Sequence, residues 1–307
     1  MNEASDIRFS IIICTYNREE LLPLALDSII KQTLARNKFE VILVDNNSSD
    51  SSPEIFSSFM KANPGINARY VKETSQGLSF ARNRGISEAC GDLITFMDDD
   101  ALLDPDFSRV NVEFFDKHHG VNAIGGKILL HFMAGKPFWL NPFLSSLLGY
   151  FNPGSKEARF RRTYFRGSNM SFRLSIFDRY EPFNTALGRV GKNLEGSEEK
   201  EIFYRLKNAG EEIWYVPDAI VFHLVPEERT GLDFIRRQAG GAGISQRKMV
   251  LSRGRIYYLF SVIKELAKWG ISIVLSFFYL LTLRPRISLV LIKFRYWVSS
   301  GLFFSKH

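Results

Sequence analysis

The chain has 307 residues, of which 45% are hydrophobic and 24% are charged, and its formal net charge is +7 at pH 7. This composition indicates a folded protein and excludes a disordered one, and the length allows one large α/β domain with a smaller appendage. Two cysteines, Cys14 and Cys90, are too few for a disulfide framework, which favours a reducing compartment.

Positive charge is concentrated toward the C-terminus. Residues 229–307 contain 14 Lys and Arg but only two acidic residues, so they carry +12 while residues 1–228 carry −5. Because the basic stretch is also apolar, it indicates an anionic membrane surface as a partner, and not nucleic acid.

Residues 9–98 alternate between β-branched apolar runs and segments of helical periodicity. The predicted strands are FSIIIC (9–14), VILVD (41–45) and LITFMD (93–98). The predicted helices are residues 18–34, 51–62 and 77–90. This β-α-β alternation predicts parallel strands covered by helices, and nearly continuous apolar runs are typical of a sheet that is buried on both faces.

Each predicted strand ends in a polar segment. The segments are CTYNR, DNNSSD and DDD, the last formed by Asp98, Asp99 and Asp100. Ligands of open α/β sheets bind beyond the carboxyl ends of the strands. We therefore expect the three segments to converge on one crevice.

The three adjacent aspartates have two interpretations. In a solvated turn, water would screen their mutual repulsion. In a site, they would bind a hard cation such as Mg²⁺ or Mn²⁺, which favours carboxylate oxygen and shares its coordination shell with substrate phosphates. The three residues alone do not separate these interpretations, but their position at the end of a central strand favours the cation.

The second half of the chain is less regular. Residues 135–165 are rich in Pro, Gly, aromatic residues and arginine and lack periodicity, which predicts a long lid or partner-binding loop. Residues 197–210 have a clear helical pattern with Ser197 as the cap, and residues 213–224 predict one or two closing strands.

The C-terminal segment contains 15 consecutive uncharged residues, 269–283. As a helix they would extend about 22 Å, short of the roughly 30 Å hydrocarbon core of a bilayer. The pattern favours an anchor that lies in or just below the membrane surface. Packing on the body of the protein and true spanning remain open at this point.

Seven segments occur in the order and spacing found in family 2 glycosyltransferases. They are IIICTYNR, VILVDNNSSD, GLSFARNRGI, ITFMDDDA, GSNMSFR, GSEEKEIFYRLKNAG and YVPDAIVFHLVPEERT. Residues 8–250 thus resemble that family, and the resemblance implies its GT-A fold, a Rossmann-like α/β fold with a mostly parallel central sheet and helices on both faces. We expect a GT-A domain over 1–235, with a donor-binding half of about 1–125 and an acceptor-side half of about 126–235. Basic, apolar amphipathic helices would follow over 236–307.

The resemblance implies a site for a nucleotide-diphosphate sugar and a divalent cation, Mn²⁺ or Mg²⁺. The cation would neutralise charge on the departing diphosphate. The implied metal ligands are Asp98, Asp100 and His223, although an imidazole between two apolar neighbours is also compatible with an ordinary buried histidine. Asp99 would hydrogen-bond the sugar or share the metal.

Contacts with the donor are implied for the first two strand ends and for the third helix. The implied residues are Thr15, Tyr16, Arg18, Asp45, Arg82 and Asn83, with Asn169 lining the acceptor side. Two of them have simpler interpretations. Asp45 would cap the turn NNSSD, and Arg82 would be a cation on a solvated helix face.

The family places an acidic pair, usually Glu-Asp, at the start of a helix and uses it to accept the proton of the acceptor hydroxyl. Here the pair is Glu198-Glu199, and Glu199 is the candidate base. The departure matters because glutamate is one methylene longer, which changes the reach of the base. Acidic residues in a first turn are also favoured by the helix macrodipole without any catalytic role.

We therefore predict a metal-dependent inverting glycosyltransferase, peripheral or monotopic at the cytoplasmic face of the cell membrane. It would transfer a sugar to a glycan or lipid-linked acceptor in surface polysaccharide synthesis. One alternative is a sugar-nucleotide nucleotidyltransferase-like enzyme, but no glycine-rich loop follows the first strand. The other is a catalytically silent membrane-surface binding protein with the same fold, which metal-dependent hydrolysis of the donor would exclude.

Overall fold

The computed structural model describes residues 7–161, 164–190 and 197–304. The chain forms two compact units, Met1–Leu130 with Phe151–Leu224, and His131–Tyr150 with Val225–His307. The second unit thus begins earlier than the boundary predicted at residue 235, and it includes residues 131–150, which contain much of the predicted lid.

The first unit is built on a nine-stranded sheet. The strands are β1 (Phe9–Thr15), β2 (Phe39–Asp45), β3 (Asn67–Lys72), β4 (Leu93–Asp98), β5 (Ala101–Leu103), β6 (Ala123–Phe132), β7 (Ala158–Arg159), β8 (Met170–Arg173) and β9 (Ile213–Val225). They are ordered β3-β2-β1-β4-β8-β6-β9-β5, and β7 pairs with β9. The first four strands of this order are parallel. Strand β8 is antiparallel to both of its neighbours, β4 and β6, and β5 is antiparallel to β9. The sheet is therefore mixed, with its parallel part in residues 9–98.

Helices cover both faces of this sheet. They are α1 (Leu22–Ile30), α2 (Ser52–Ala62), α3 (Leu78–Glu88), α4 (Phe107–Lys117) and α5 (Glu198–Asn208). Successive residues of a strand point to opposite faces, so Ile11 and Ile13 pack with α1, α2 and α4 while Ile12 packs with α3 and α5. Gly85 lets α3 lie directly on β1, because a Cβ there would come within 2.3 Å of Ile12 Cγ2. Both faces of β1, β2 and β4 are buried, as their continuous apolar runs predict.

Several elements differ from expectation. The edge strand β3 was not predicted, because NARYVK has neither a continuous apolar run nor a strict alternation of polar and apolar residues. The three-residue strand β5 is too short for a periodic signal. Residues 213–225 form one long strand, β9, and not two.

The second unit contains three long helices, α6 (Leu232–Arg253), α7 (Arg255–Leu281) and α8 (Pro285–Phe304), and α8 packs against both of the others. Glycines permit close approach of α6 and α8, since a Cβ on Gly243 would lie 2.1 Å from the carbonyl oxygen of Val298. Of the described helices, only α8 has the length and composition to cross a bilayer, and 50% of its most apolar window is buried. The uncharged residues 269–283 form the second half of α7 and the turn after it.

Candidate active site

The carboxyl ends of the parallel strands meet, as predicted. The register of β1 and β4 pairs Cys14 with Asp98. At the next residue after each of these two, the Thr15 hydroxyl donates a 2.9 Å hydrogen bond to Asp99 Oδ2. The end of β2 joins them, because the Asn17 side chain accepts a hydrogen bond from the backbone N–H of Ser49 at 2.8 Å. The three polar segments therefore form one edge of a single site.

The three aspartates do not form a solvated turn. Asp99 and Asp100 are 8% and 6% exposed. Burial, and then the charge of Asp100, raise the pKa of Asp99 to about 7. The same two causes raise the pKa of Asp98. Concentrated negative charge with little solvent is unfavourable, so this edge of the sheet is suited to a cationic ligand.

Strand register brings His223 to the aspartates. The pairing of β5 with β9 aligns Ala101 with His223, and the Leu224 N–H donates to the carbonyl oxygen of Asp100 at 2.8 Å. His223 Nε2 consequently lies 3.3 Å from Asp100 Oδ1. Two of the three predicted metal ligands are therefore in contact, although they are far apart in sequence.

The donor atoms at this edge fit a hard divalent cation. Within residues 7–161, 164–190 and 197–304, no group of three or more His, Cys, Asp or Glu is arranged to hold a metal ion by side chains alone. Mg²⁺ and Mn²⁺ sites in phosphate-handling enzymes usually take one or two carboxylates and complete the shell with substrate phosphates and water. Asp100 and His223, with Asp98 in electrostatic range of both, match that kind of incomplete site.

A second charged cluster joins α3 to the start of α5. Arg82 is 2% exposed and its Nη1 lies 2.8 Å from Glu198 Oε1, while its Nη2 lies 3.3 Å from Glu199 Oε1. Its guanidinium carbon also lies 5.8 Å and 5.3 Å from the ring centroids of Phe96 and Phe183. The interpretation of Arg82 as a solvated surface cation is wrong, because the guanidinium is buried against the acidic pair.

The backbone at Gly167 completes this cluster. A Cβ at this position would lie 2.0 Å from Arg82 Nη2 and 2.6 Å from Glu199 Oε1. Real Cβ atoms do not approach other atoms so closely, so only glycine lets the ion pair form beneath this turn. Gly167 thus brings the backbone of the segment GSNMSFR against the acidic pair.

The two glutamates have different environments. Burial alone would raise the pKa of Glu198, but the charge of Arg82 and backbone N–H groups outweigh it, so its pKa is lowered. For Glu199, burial prevails over the charge of Arg82 and raises the pKa. The Glu198 side chain is 2% exposed and that of Glu199 is 19% exposed. Glu199 is therefore the more accessible and the more basic member of the pair.

One charged residue that acts on this site was not identified from the sequence. Arg189, in the segment before α5, lowers the pKa of both Asp98 and Glu199 by its positive charge. Asp98 in turn raises the pKa of Glu199. These couplings link the acidic pair electrostatically to the end of β4 that carries Asp98, Asp99 and Asp100, which we call the aspartate edge. Arg189 belongs to none of the recognised motifs, and an isolated arginine in an irregular segment gives no signal of its own.

The remaining nucleotide-binding candidates lie at the strand ends. Arg18 Nε lies 3.6 Å from Asp99 Oδ1, and the Arg18 side chain is 38% exposed. Tyr16 is also exposed. Asp45 accepts hydrogen bonds from the Tyr70 hydroxyl at 2.6 Å and from the Ser48 N–H at 2.9 Å, so its capping role is present. Contacts of these residues with a nucleotide stay predictions.

Two predicted ligand contacts lack support from the geometry. The Asn83 side chain donates to the Phe183 carbonyl at 2.8 Å and accepts from the Phe183 N–H at 2.9 Å. The Asn169 side chain donates to the carbonyls of Lys127 and Ala219 at 2.9 Å each and accepts from the Gly126 N–H at 3.1 Å. These bonds use most of the capacity of each amide. Both asparagines therefore hold the backbone of the site.

Sequence comparison identifies the family. A family model described as "Glycosyl transferase family 2" matches residues 10–181, more than half of the chain. The glucosyl-dolichyl phosphate glucuronosyltransferase of Haloferax volcanii is 26% identical over 250 residues, which are 80% of this chain and 78% of that protein. The minor teichoic acid biosynthesis protein GgaB of Bacillus subtilis is 38% identical over 119 residues, which are 38% of this chain and only 13% of GgaB.

Structural comparison agrees. A mannosyltransferase from Pyrobaculum calidifontis, solved with GDP-Man and Mn²⁺, aligns with a TM-score of 0.60 at 17% identity over 97% of this chain and 88% of that chain. A fragment of S. aureus TarS, solved with UDP-GlcNAc, aligns with a TM-score of 0.53 at 19% identity over 77% of this chain and 66% of that chain. At such identities the likeness establishes the fold, which is GT-A. The chain belongs to glycosyltransferase family 2.

Proposed function

We propose that the protein is a metal-dependent, inverting glycosyltransferase that moves a sugar from a nucleotide-diphosphate sugar to a hydroxyl group. The observation that carries this proposal is the juxtaposition of a buried aspartate edge with an acidic pair whose members have opposite pKa shifts. The first suits a donor diphosphate with its cation, and the second suits proton removal from an acceptor.

The donor end of the reaction is assigned to the aspartate edge. Asp98, Asp100 and His223 would hold Mn²⁺ or Mg²⁺, and the bound cation would neutralise charge on the leaving diphosphate. Asp99, held by Thr15, would bind the sugar or share the metal. Two structural neighbours support this assignment, because the mannosyltransferase from Pyrobaculum calidifontis was solved with GDP-Man and Mn²⁺ and GalNAc-T7 was solved with UDP, GalNAc and Mn²⁺.

Recognition of the nucleotide is assigned to the ends of β1 and β2. Thr15, Tyr16, Arg18 and Asp45 lie there, and the half-exposed guanidinium of Arg18 is placed to meet a phosphate beside Asp99. Arg82 has a different role in this proposal, because it is buried against the acidic pair.

The acceptor end is assigned to Glu199. Its carboxylate would take the proton of the acceptor hydroxyl while that oxygen bonds to the anomeric carbon of the sugar. The bond between the anomeric carbon and the diphosphate oxygen breaks, and the nucleoside diphosphate leaves with the electron pair. Attack from the side opposite the leaving group inverts the configuration. The raised pKa of Glu199 makes it a stronger base than an ordinary glutamate.

The acceptor is proposed to be a glycan or lipid-linked sugar in surface polysaccharide synthesis. The names of two relatives support this class, since one names a dolichyl phosphate and the other a teichoic acid. The basic, apolar C-terminal segment supports a location at the cytoplasmic face of the cell membrane.

A thermal-shift screen of nucleotide sugars with and without Mn²⁺ tests the proposal. A ligand at about 100 times its Kd stabilises the folded protein by about 2.7 kcal/mol. We expect a Mn²⁺-dependent rise in melting temperature with one donor class, which Asp100→Ala removes and the exposed-site control Asp27→Ala retains. The preferred donor should then release free nucleoside diphosphate slowly in the presence of Mn²⁺. A protein that binds no donor, or that releases pyrophosphate from a nucleoside triphosphate, would contradict the proposal.

A further inference from the structure

The polarity of α7 is inverted relative to an ordinary helix of a water-soluble bundle. Every residue of α7 that is buried, among those described, is polar: Ser261, Glu265, Ser272 and Ser276. Its exposed side chains are mostly large and apolar, among them Ile263, Leu266, Val274, Phe277, Phe278 and Leu281. Helices of soluble bundles bury their apolar stripe and expose the polar one.

The neighbouring helix α6 serves as an internal comparison. Its exposed residues include Asp233, Arg236, Arg237 and Ser245, with Ile244 as the one large apolar side chain exposed in the described part of the helix, and it buries Phe234 and Ile235. The same unit therefore contains one helix with a mainly polar exposed face, α6, and one with a mainly apolar exposed face, α7. Inverted polarity is a property of α7 and does not extend to α6.

Hydrogen bonds and ion pairs hold the inner face of α7 to α8. Arg295 Nη1 lies 3.1 Å from Glu265 Oε1, and the Ser299 hydroxyl donates to the same oxygen at 2.9 Å. The hydroxyls of Ser276 and Ser288 are 2.6 Å apart. Polar contacts of this kind hold helices together where no hydrophobic force acts between them, as in lipid. They leave the apolar side chains of α7 on the outside.

The apolar surface extends along the whole helix. Exposed apolar residues recur every three or four positions from Ile256 to Leu281, which corresponds to a stripe about 39 Å long. Lys264 and Lys268 both lie to one side of this stripe, since successive residues turn by about 100°. Charge is thus absent from the centre of the stripe and present along one edge.

This placement of charge identifies the orientation. If α7 crossed a bilayer, the exposed Lys264 of α7 and Lys293 of α8 would lie within the hydrocarbon, where an unpaired cation is costly, whereas Lys268 is paired with Glu265 at 3.5 Å. If α7 lies along the bilayer, the stripe enters the acyl region and Lys264 reaches the headgroups from one edge. Anionic headgroups complement this charge.

We propose that α7 lies lengthwise in one leaflet of a phospholipid bilayer, with the stripe from Ile256 to Leu281 in the acyl region and Lys264 at anionic headgroups. The bilayer, and not a partner protein, is the environment for which the outer face of α7 is built. This inference rests on the second unit alone and does not depend on the proposed catalytic activity.

Vesicle flotation of the full chain tests the proposal. Detergent is dialysed away in the presence of vesicles of phosphatidylcholine, alone or mixed with phosphatidylglycerol. Val274 and Phe277 are 69% and 60% exposed, so acidic replacements there meet no neighbouring side chain. We expect Val274→Glu combined with Phe277→Glu to lower the vesicle-bound fraction at least about tenfold. The matched control Ser245→Glu, on the outer face of α6, should float like the wild type, and the anionic vesicles should bind more protein.

Other outcomes overturn the proposal. They are a wild-type chain that is monomeric without detergent and does not float, a double variant that floats like the wild type, and a lipid-independent dimer that the double variant dissociates. Circular dichroism of both variants checks that the helices are retained.

A labelling experiment separates lying along the bilayer from crossing it. Leu283, in the turn after α7, is 88% exposed, and Ser245 is on α6. Each is changed to cysteine in a Cys90→Ser background, and the same background without a new cysteine measures any labelling of Cys14, whose pKa is raised to about 12 by burial. A membrane-impermeant maleimide should label both sites from the same side of the membrane. Labelling from opposite sides would show insertion across the bilayer and overturn the proposal.

Discussion

Conservative replacement of each member of the acidic pair should separate catalysis from stability. Glu199→Gln keeps the shape of the side chain and removes the proton acceptor, so transfer should fall by about 10²- to 10⁴-fold, the usual contribution of a general base. Donor binding should be unchanged. Glu198→Gln keeps the base but replaces the 2.8 Å ion-paired hydrogen bond to Arg82 by a neutral one. That exchange should lower the free energy of unfolding by about 1–2 kcal/mol, a substantial part of the roughly 5–15 kcal/mol of a typical protein.

The pH dependence of these two variants should differ in sign. Because the folded state lowers the pKa of Glu198, its contribution to stability is present above the unfolded value of about 4.3 and is lost as the pH falls through the folded value. The stability difference between the wild type and Glu198→Gln should therefore vanish in acid. Because the pKa of Glu199 is raised, the acid limb of the transfer rate should lie above the ordinary range of a glutamate and be absent in Glu199→Gln.

Urea denaturation at neutral and acidic pH measures the first effect, and single-turnover transfer with a saturating donor measures the second. The reasoning is refuted if Glu198→Gln loses as much transfer as Glu199→Gln with unaltered stability, because the pair would then act catalytically as a unit. It is also refuted if Glu199→Gln transfers sugar at the wild-type rate.

Three further changes test the packing of the charged clusters. Arg82→Met should destabilise the fold by about 3–5 kcal/mol in urea denaturation, because it leaves two buried carboxylates without their cation; a loss under about 1 kcal/mol would contradict the ion-pair geometry. Gly167→Ala should reduce transfer by about 10²-fold with secondary structure retained by circular dichroism, because the new Cβ displaces Arg82 and Glu199 from their positions; an unchanged rate would show that the turn adapts. Arg295→Leu should destabilise the detergent-solubilised protein by about 1–3 kcal/mol, because Glu265 then keeps only Lys268 at 3.5 Å as its cation, and the double change with Glu265→Leu should restore most of that loss, because the buried carboxylate is removed; equal melting temperatures of the single and double variants would contradict this.

Local patterns were sufficient for much of the fold. The strands β1, β2 and β4 are continuous apolar runs and the helix α5 has a regular apolar stripe, so each of these elements can be predicted from a few neighbouring residues. The edge strand β3 and the short strand β5 lack such a pattern, because their pairing partners define them and their own composition does not. Order along the chain was also sufficient to recognise the family from its seven segments.

The roles of individual charged residues were harder to predict from the sequence. From the sequence, Arg82 could be a contact for the donor or a surface cation. Its partner Glu198 is 116 residues away and is brought to it only when α3 and α5 pack on the same face of the sheet. The contact between Asp100 and His223 depends in the same way on the register of β5 with β9. Asn83 and Asn169 lie in recognised segments, yet their side chains form hydrogen bonds with backbone groups of the protein.

The sequence by itself determined that the chain is an α/β protein of family 2, with carboxylates at a strand end and a basic, apolar C-terminal segment. Those properties depend on which residues occur and in what order. Tertiary structure alone decided that Arg82 holds the acidic pair, that the pKa values of Glu198 and Glu199 move apart, and that α7 turns its polar face inward. Burial and the distance between charges set these properties, and both arise only when segments remote in the chain pack together.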